Sequence, residues 1–168
     1  MKKLFLFAAV AVFSLSSAYS QGELRGGLTG GVPIGDSGDF YTFTFGLDVS
    51  YLFEITEDIN VGGATGFSTS FGESFSSAVA GVDVQYKDFN YLPIAAAGRY
   101  NVFEGLVVGA DLGYAVVLTD GADGGLYYRP MAGYNITEKI QATLSYRGIS
   151  VDNGSFSSIT VGASYRIL

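Results

Sequence analysis

The sequence predicts an all-β fold, an eight-stranded antiparallel up-and-down transmembrane β-barrel. Three observations carry that prediction. Apolar and small polar residues alternate with period two along most of the chain. The connectors between alternating segments are by turns short and long. Every arginine falls on the less apolar face of its segment. Alternation puts successive side chains on opposite faces of a strand, and unequal connectors suit a meander crossing a layer repeatedly.

Composition agrees. Within 168 residues, 24 glycines, 12 tyrosines and 13 phenylalanines favour sheet and turn over helix. The length allows one domain. A net charge of −7 argues against a nucleic-acid partner. The absence of cysteine excludes disulfides and cysteine-ligated zinc, and the absence of histidine removes the commonest general base and metal ligand. Neither a cofactor nor an enzymatic activity is expected.

Lys2 and Lys3 precede an apolar run from Leu4 to Phe13 and small residues up to Ser20. That order describes an export signal over residues 1–20, with cleavage before Gln21. The run is about half the ~20 residues needed to span a bilayer as a helix. Residues 21–168 are expected to form the barrel.

The first strand alternates through Leu24, Gly26, Leu28, Gly30 and Val32. The second sets Tyr41, Phe43, Phe45, Leu47, Val49, Tyr51 and Phe53 against Thr42, Thr44, Gly46, Asp48 and Ser50. The third sets Ile59, Val61, Gly63, Thr65 and Phe67 against Asn60, Gly62, Ala64, Gly66 and Ser68. The fourth runs through Leu92, Ile94, Ala96, Gly98 and Tyr100, and the fifth through Leu106, Val108, Ala110, Leu112, Tyr114 and Val116. The sixth, from Leu126 to Tyr134, is weakened by Pro130, which cannot donate to a ladder. Ile140–Tyr146 and Ile159–Ile167 complete the set. The connectors Glu54–Asp58, Asn101–Gly105 and Asn135–Lys139 are tight, whereas Pro33–Asp39, Gly72–Asp88, Leu118–Gly125 and Ser150–Ser157 are longer.

An eight-stranded barrel is only just wide enough inside for ordinary side chains. The aromatic-rich face therefore points to lipid, and the face of Thr, Ser, Gly, Ala and charges lines the lumen. Arg25, Arg99, Arg129, Arg147 and Arg166 all lie on the inner parity. Chance would do this about once in 32 from five even choices between two faces. An outward arginine at the bilayer midplane would cost roughly 2–4 kcal/mol.

Glu23, Asp48 and Asp111 are the inward acids, and counted from the short-turn end Arg25, Arg99 and Arg166 form a low layer. Asp48, Asp111 and Arg129 fall near mid-height and Arg147 higher. Buried charges are tolerable when paired, so these residues predict an internal ion-pair network, with Asp111 and Arg129 as partners. A proton or ion path along the charges is the sharper alternative.

On these residues the chain resembles the small eight-stranded outer-membrane β-barrels of the OmpA/OmpX-like type, over the whole segment after residue 20. The most specific element is the C-terminal pattern Thr160, Gly162, Tyr165 and Ile167, similar to the signal that the barrel assembly machinery reads in that class. Leu168 after the usual end, and the lack of tryptophan, are departures. The resemblance implies a place in the bacterial outer membrane and outer-membrane lipid as surroundings. It also implies a periplasmic girdle made of Phe53, Tyr100, Phe103 and Tyr134. No anchoring domain is expected after the barrel.

Other motifs are set aside. Gly26, Gly27, Gly30 and Gly31 lie in a strand with no following helix, so they do not cradle a phosphate. Asp120-Gly121, Asp123-Gly124 and Asn153-Gly154 are turn dipeptides. Two functions remain. One is a closed barrel acting through its external loops as a structural or surface-interaction component. The other is a narrow pore for small solutes or ions. The stretch Ala80–Lys87 alternates in phase with Leu92 and Ile94, which predicts one long strand offering residues 76–90 to an external ligand by strand addition.

Overall fold

The computed structural model describes residues 22–77, 82–85, 87–119, 124–151 and 154–168. The expected export signal lies outside the described residues. Among the described residues ten strands follow in chain order: β1 (Gly22–Pro33), β2 (Tyr41–Glu54), β3 (Ile59–Gly72), β4 (Ser74–Ser77), β5 (Val82–Gln85), β6 (Phe89–Phe103), β7 (Leu106–Val117), β8 (Gly125–Asn135), β9 (Ile140–Val151) and β10 (Gly154–Arg166). Eight of them close into a barrel in the circular order β1, β2, β3, β6, β7, β8, β9, β10. Each pairs antiparallel with its neighbours, and β10 returns to β1 with Arg25 opposite Arg166 and Val32 opposite Ile159. Closure leaves the barrel without a strand edge among the described residues, the condition for a sheet to exist in hydrocarbon. The barrel strands are 11 to 15 residues long, enough for the ~9–11 that a tilted crossing needs.

The pleat sorts the side chains. Asp111 is 1% exposed while its neighbour Leu112 is 58% exposed, so a single step along β7 moves from the lumen to the lipid face. Leu28, Leu47, Leu144 and Val161 are similarly exposed on other strands. The short-connector turns hold by local bonds. In the β2–β3 turn, Thr56 Oγ1 accepts the Ile59 amide at 3.1 Å, and in the β8–β9 turn Thr137 Oγ1 accepts the Ile140 amide at 3.0 Å. Gly105, between β6 and β7, has φ +92°, a conformation that L side chains resist.

The inner face departs from expectation in its upper part. Towards the long-connector end the lumen is filled by Tyr91, Tyr127, Ile149 and Phe156, all buried, with Tyr41, Phe89, Val117 and Val151 packed on them. Phe89 and Phe156 lie 4.8 Å apart, and Tyr41 meets Phe156 edge-on at 5.8 Å. Such pairs add about 0.5–1.5 kcal/mol each beyond their burial. Tyr41 belongs inside, and its assignment to the lipid face is corrected. Tyr41 pairs with Gly72 and Phe43 with Phe71, so Thr42 is an extra residue that reverses parity on the Tyr41 side of Phe43.

Between β1 and β2 a 3₁₀ turn (Gly35–Asp39) buries Ser37, whose hydroxyl donates to the Ser155 carbonyl at 3.3 Å and accepts the Ser157 amide at 3.1 Å. The turn is thereby fixed to β10.

The single long strand expected through residues 80–100 is also corrected. β5 pairs with β4 in a separate two-stranded ladder, from Ser74 opposite Gln85 to Ser77 opposite Val82. Lys87 and Asp88, in no strand, separate β5 from β6. Asp88 is bound instead to other segments: Oδ1 accepts the Gly72 amide at 3.0 Å and its carbonyl accepts the Thr119 hydroxyl at 2.9 Å. Residues 78–81 and 86, part of the expected 76–90 binding segment, lie outside the described residues.

Candidate functional site

The lumen holds a continuous chain of charges. Arg99 Nη1 lies 2.7 Å from Asp111 Oδ1, and Arg129 Nη2 lies 2.6 Å from Asp111 Oδ2. Arg129 Nη1 reaches Asp48 Oδ2 at 3.1 Å, and Arg147 Nη2 reaches the same oxygen at 2.6 Å. Five residues from β2, β6, β7, β8 and β9 are so joined across the barrel. A second group lies nearer the short turns, where Glu23 binds Arg25 and, at 3.3 Å, Arg166. Asp111 and Arg129 stand directly opposite each other in the β7–β8 ladder.

Counting along strands placed Arg99 in the lower layer and Arg147 above the middle, yet both join the mid-height chain. An arginine side chain is long enough to move its charge by more than one residue step. Arg147, 0% exposed, is the best-held of the group. It donates to Ser68 and Thr29 at 2.8 Å each as well as to Asp48. Gly46 makes room for this head, since a Cβ there would stand 2.8 Å from Arg147 Nη1 and 2.6 Å from Thr29 Oγ1. Thr29, Gly46 and Ser68 were legible as inward positions. Nothing in the sequence showed that they converge on one guanidinium.

Below this chain of charges the lumen opens as a cavity of about 500 Å³ towards the short turns. Above it the aromatic cluster fills the bore. The candidate site is therefore a blind cup with an ionic floor.

The C-terminal residues of the expected assembly signal divide between the two faces. Thr160 is buried and shares a 2.8 Å hydrogen bond with Ser145, and Gly162 pairs with Thr29 and Thr143. Tyr165 is exposed and pairs with Gly26 and Ile140, while the Ile167 amide donates to the Leu24 carbonyl at 2.8 Å. Tyr100, Phe103 and Tyr134 are exposed near the short turns, and half-buried Phe53 sits beside them, edge-on to Tyr51 at 4.9 Å.

A family model, the outer membrane protein beta-barrel domain, matches residues 5–166. The chain belongs to this outer-membrane barrel family. Its place is the bacterial outer membrane, and in barrels of this kind the short turns face the periplasm and the longer loops the outside. Among solved structures, the attachment invasion locus protein Ail of Yersinia pestis is 18% identical with a TM-score of 0.56, over 87% of this chain and 97% of Ail. OprG of Pseudomonas aeruginosa is 12% identical with a TM-score of 0.51, over 87% of this chain and 95% of OprG. A de novo designed transmembrane β-barrel gives 12% identity and a TM-score of 0.54, over 86% and 95%. These likenesses are of fold. No curated protein matches the chain in sequence.

Proposed function

We propose that the protein is a closed barrel that serves as a structural and surface-interaction component of the envelope through its external loops. One observation carries this reading: the external part of the lumen is packed with Tyr91, Tyr127, Ile149 and Phe156, each at most 6% exposed. Beneath them the Asp48–Arg147 and Asp111–Arg129 pairs cross the bore. A solute would have to displace both layers, and displacing the lower one would leave charges unpaired in a low dielectric. What remains to meet the outside is the loop set at the long-connector end, where β4 pairs with β5. Ail, named for attachment and invasion, shares this fold.

Liposome swelling tests the reading. Vesicles holding the folded protein should stay as tight to small sugars as protein-free vesicles. Rapid sugar entry would install the narrow pore in its place.

The C-terminal residues Tyr165 and Ile167, with Thr160 and Gly162, serve in this reading as the signal for the barrel assembly machinery. Phe53, Tyr100, Phe103 and Tyr134 serve as the periplasmic interfacial girdle, where amphipathic rings suit the headgroup level.

A further inference from the structure

We infer that the periplasm-facing cup binds a small oxyanion, a phosphate or a carboxylate, on the seam between β1 and β10. Three donors along that seam are without a hydrogen-bond partner among the described residues: Arg25 Nη1, Ser164 Oγ and Arg166 Nε. Their residues are neighbours on one inner face, with Arg25 opposite Arg166 and Ser164 opposite Gly27, one pleat along. All three residues line the cavity of about 500 Å³. Arg25 is only 8% exposed, so its free nitrogen has no bulk water to turn to. A buried donor without an acceptor is unfavourable, and a charged one more so.

The charge count points the same way. The ion-paired lumen groups are Arg25, Arg99, Arg129, Arg147 and Arg166 against Glu23, Asp48 and Asp111. The upper chain shares two carboxylates among three guanidiniums, and the lower group shares Glu23 between Arg25 and Arg166. Each group therefore holds one positive charge in excess. In the lower group that excess borders open volume. The three donor atoms are themselves buried behind the wall, so a monoanion entering the cup would have to turn the Arg25 head, the Ser164 hydroxyl and the Arg166 guanidinium towards it, into the paired-donor geometry that guanidinium offers to oxyanions.

The mouth carries Glu54, Glu57, Asp58 and Glu104 at the level of the turns, so the whole lining holds six carboxylates against four arginines and the positive excess belongs to the ion-paired interior alone. The mouth carboxylates stand in water and are screened within about 8–10 Å at physiological salt; Arg166 is at the level of the turns, its amide bound to the Lys139 carbonyl, while Arg25 is buried. The rim therefore disfavours large polyanions more than a compact ion of one charge. The inference does not depend on whether the barrel conducts.

The test is a titration of inorganic phosphate into the folded protein in maltoside micelles, at constant ionic strength made up with chloride. The signals read are the arginine Nε–Hε NMR resonances. Saturable shifts of the Arg25 and Arg166 resonances, competed by acetate, are expected, with Arg99 unmoved. R25Q should weaken binding by about tenfold, the loss of one charge-assisted hydrogen bond. S164A removes a donor without touching any ion pair, so it decides the matter if R25Q does not fold. A linear drift without saturation would overturn the inference, as would equal affinity in wild type and S164A.

Discussion

Asp48 on β2 receives the Arg147 guanidinium from β9 at 2.6 Å, although three steps around the wall separate their strands. The contact spans the lumen and ties opposite walls together. It also leaves Asp48 bound to Arg129, so one carboxylate holds two cations.

D48N should therefore destabilise the barrel by about 3–5 kcal/mol, because it leaves two buried guanidiniums short of a counter-charge. Urea unfolding in lipid vesicles measures this. The double variant D48L with R147M should recover much of the loss, since replacing both partners by apolar groups removes the unpaired charge. Equal losses in the single and double variants would break the argument.

Gly46 is expected to be as sensitive as a charged residue. G46V would drive a side chain into Thr29, Ser68 and the Arg147 head, all within 2.9 Å of a Cβ at that position. Overpacking of this kind costs about 1–3 kcal/mol. The same unfolding measurement checks it, and Arg147 should lose its rigid Nε–Hε NMR signal.

Much of this is legible in the sequence. The five arginines marked the inner parity because an outward guanidinium is so costly in lipid, and Asp111 with Arg129 could be paired by counting from the turns. Three things were not legible, each for a physical reason. A bulge adds one residue at Thr42, and period-two reasoning carries no signal for such an insertion, so Tyr41 was set on the wrong face. Tyr91, Tyr127, Ile149 and Phe156 stood on the inner parity, yet apolar residues elsewhere marked the lipid face, which hid the aromatic filling. The break between β5 and β6 falls at Asp88, which accepts hydrogen bonds from Gly72 and Thr119, partners remote in sequence.

The lipid face gives a depth-dependent prediction. L112R, beside mid-height Asp111, should cost about 2–4 kcal/mol of folding free energy in vesicles, whereas I136R in a periplasmic turn should cost about 0–1. Leu112 and Ile136 are 58% and 61% exposed, so exposure alone would predict no difference. Equal costs would mean that the belt is not in the membrane.

Removal of residues 165–168 takes away the Arg166 amide bond to the Lys139 carbonyl, the Ile167 amide bond to the Leu24 carbonyl and the outward Tyr165. The truncated chain should accumulate in the periplasm. Y165A with I167A keeps the backbone ladder and should lower outer-membrane yield while refolding normally in detergent micelles. Full yield from that double variant would remove these side chains from the assembly signal.

The central claim is a closed lumen, and single-channel recording in planar bilayers tests it most directly. The wild-type protein should give no stepwise conductance. The triple variant Y91A, Y127A and F156A, which empties the external filling above Arg147, should give brief, salt-dependent openings. Steady conductance from the wild type, unchanged in the triple variant, would contradict the account.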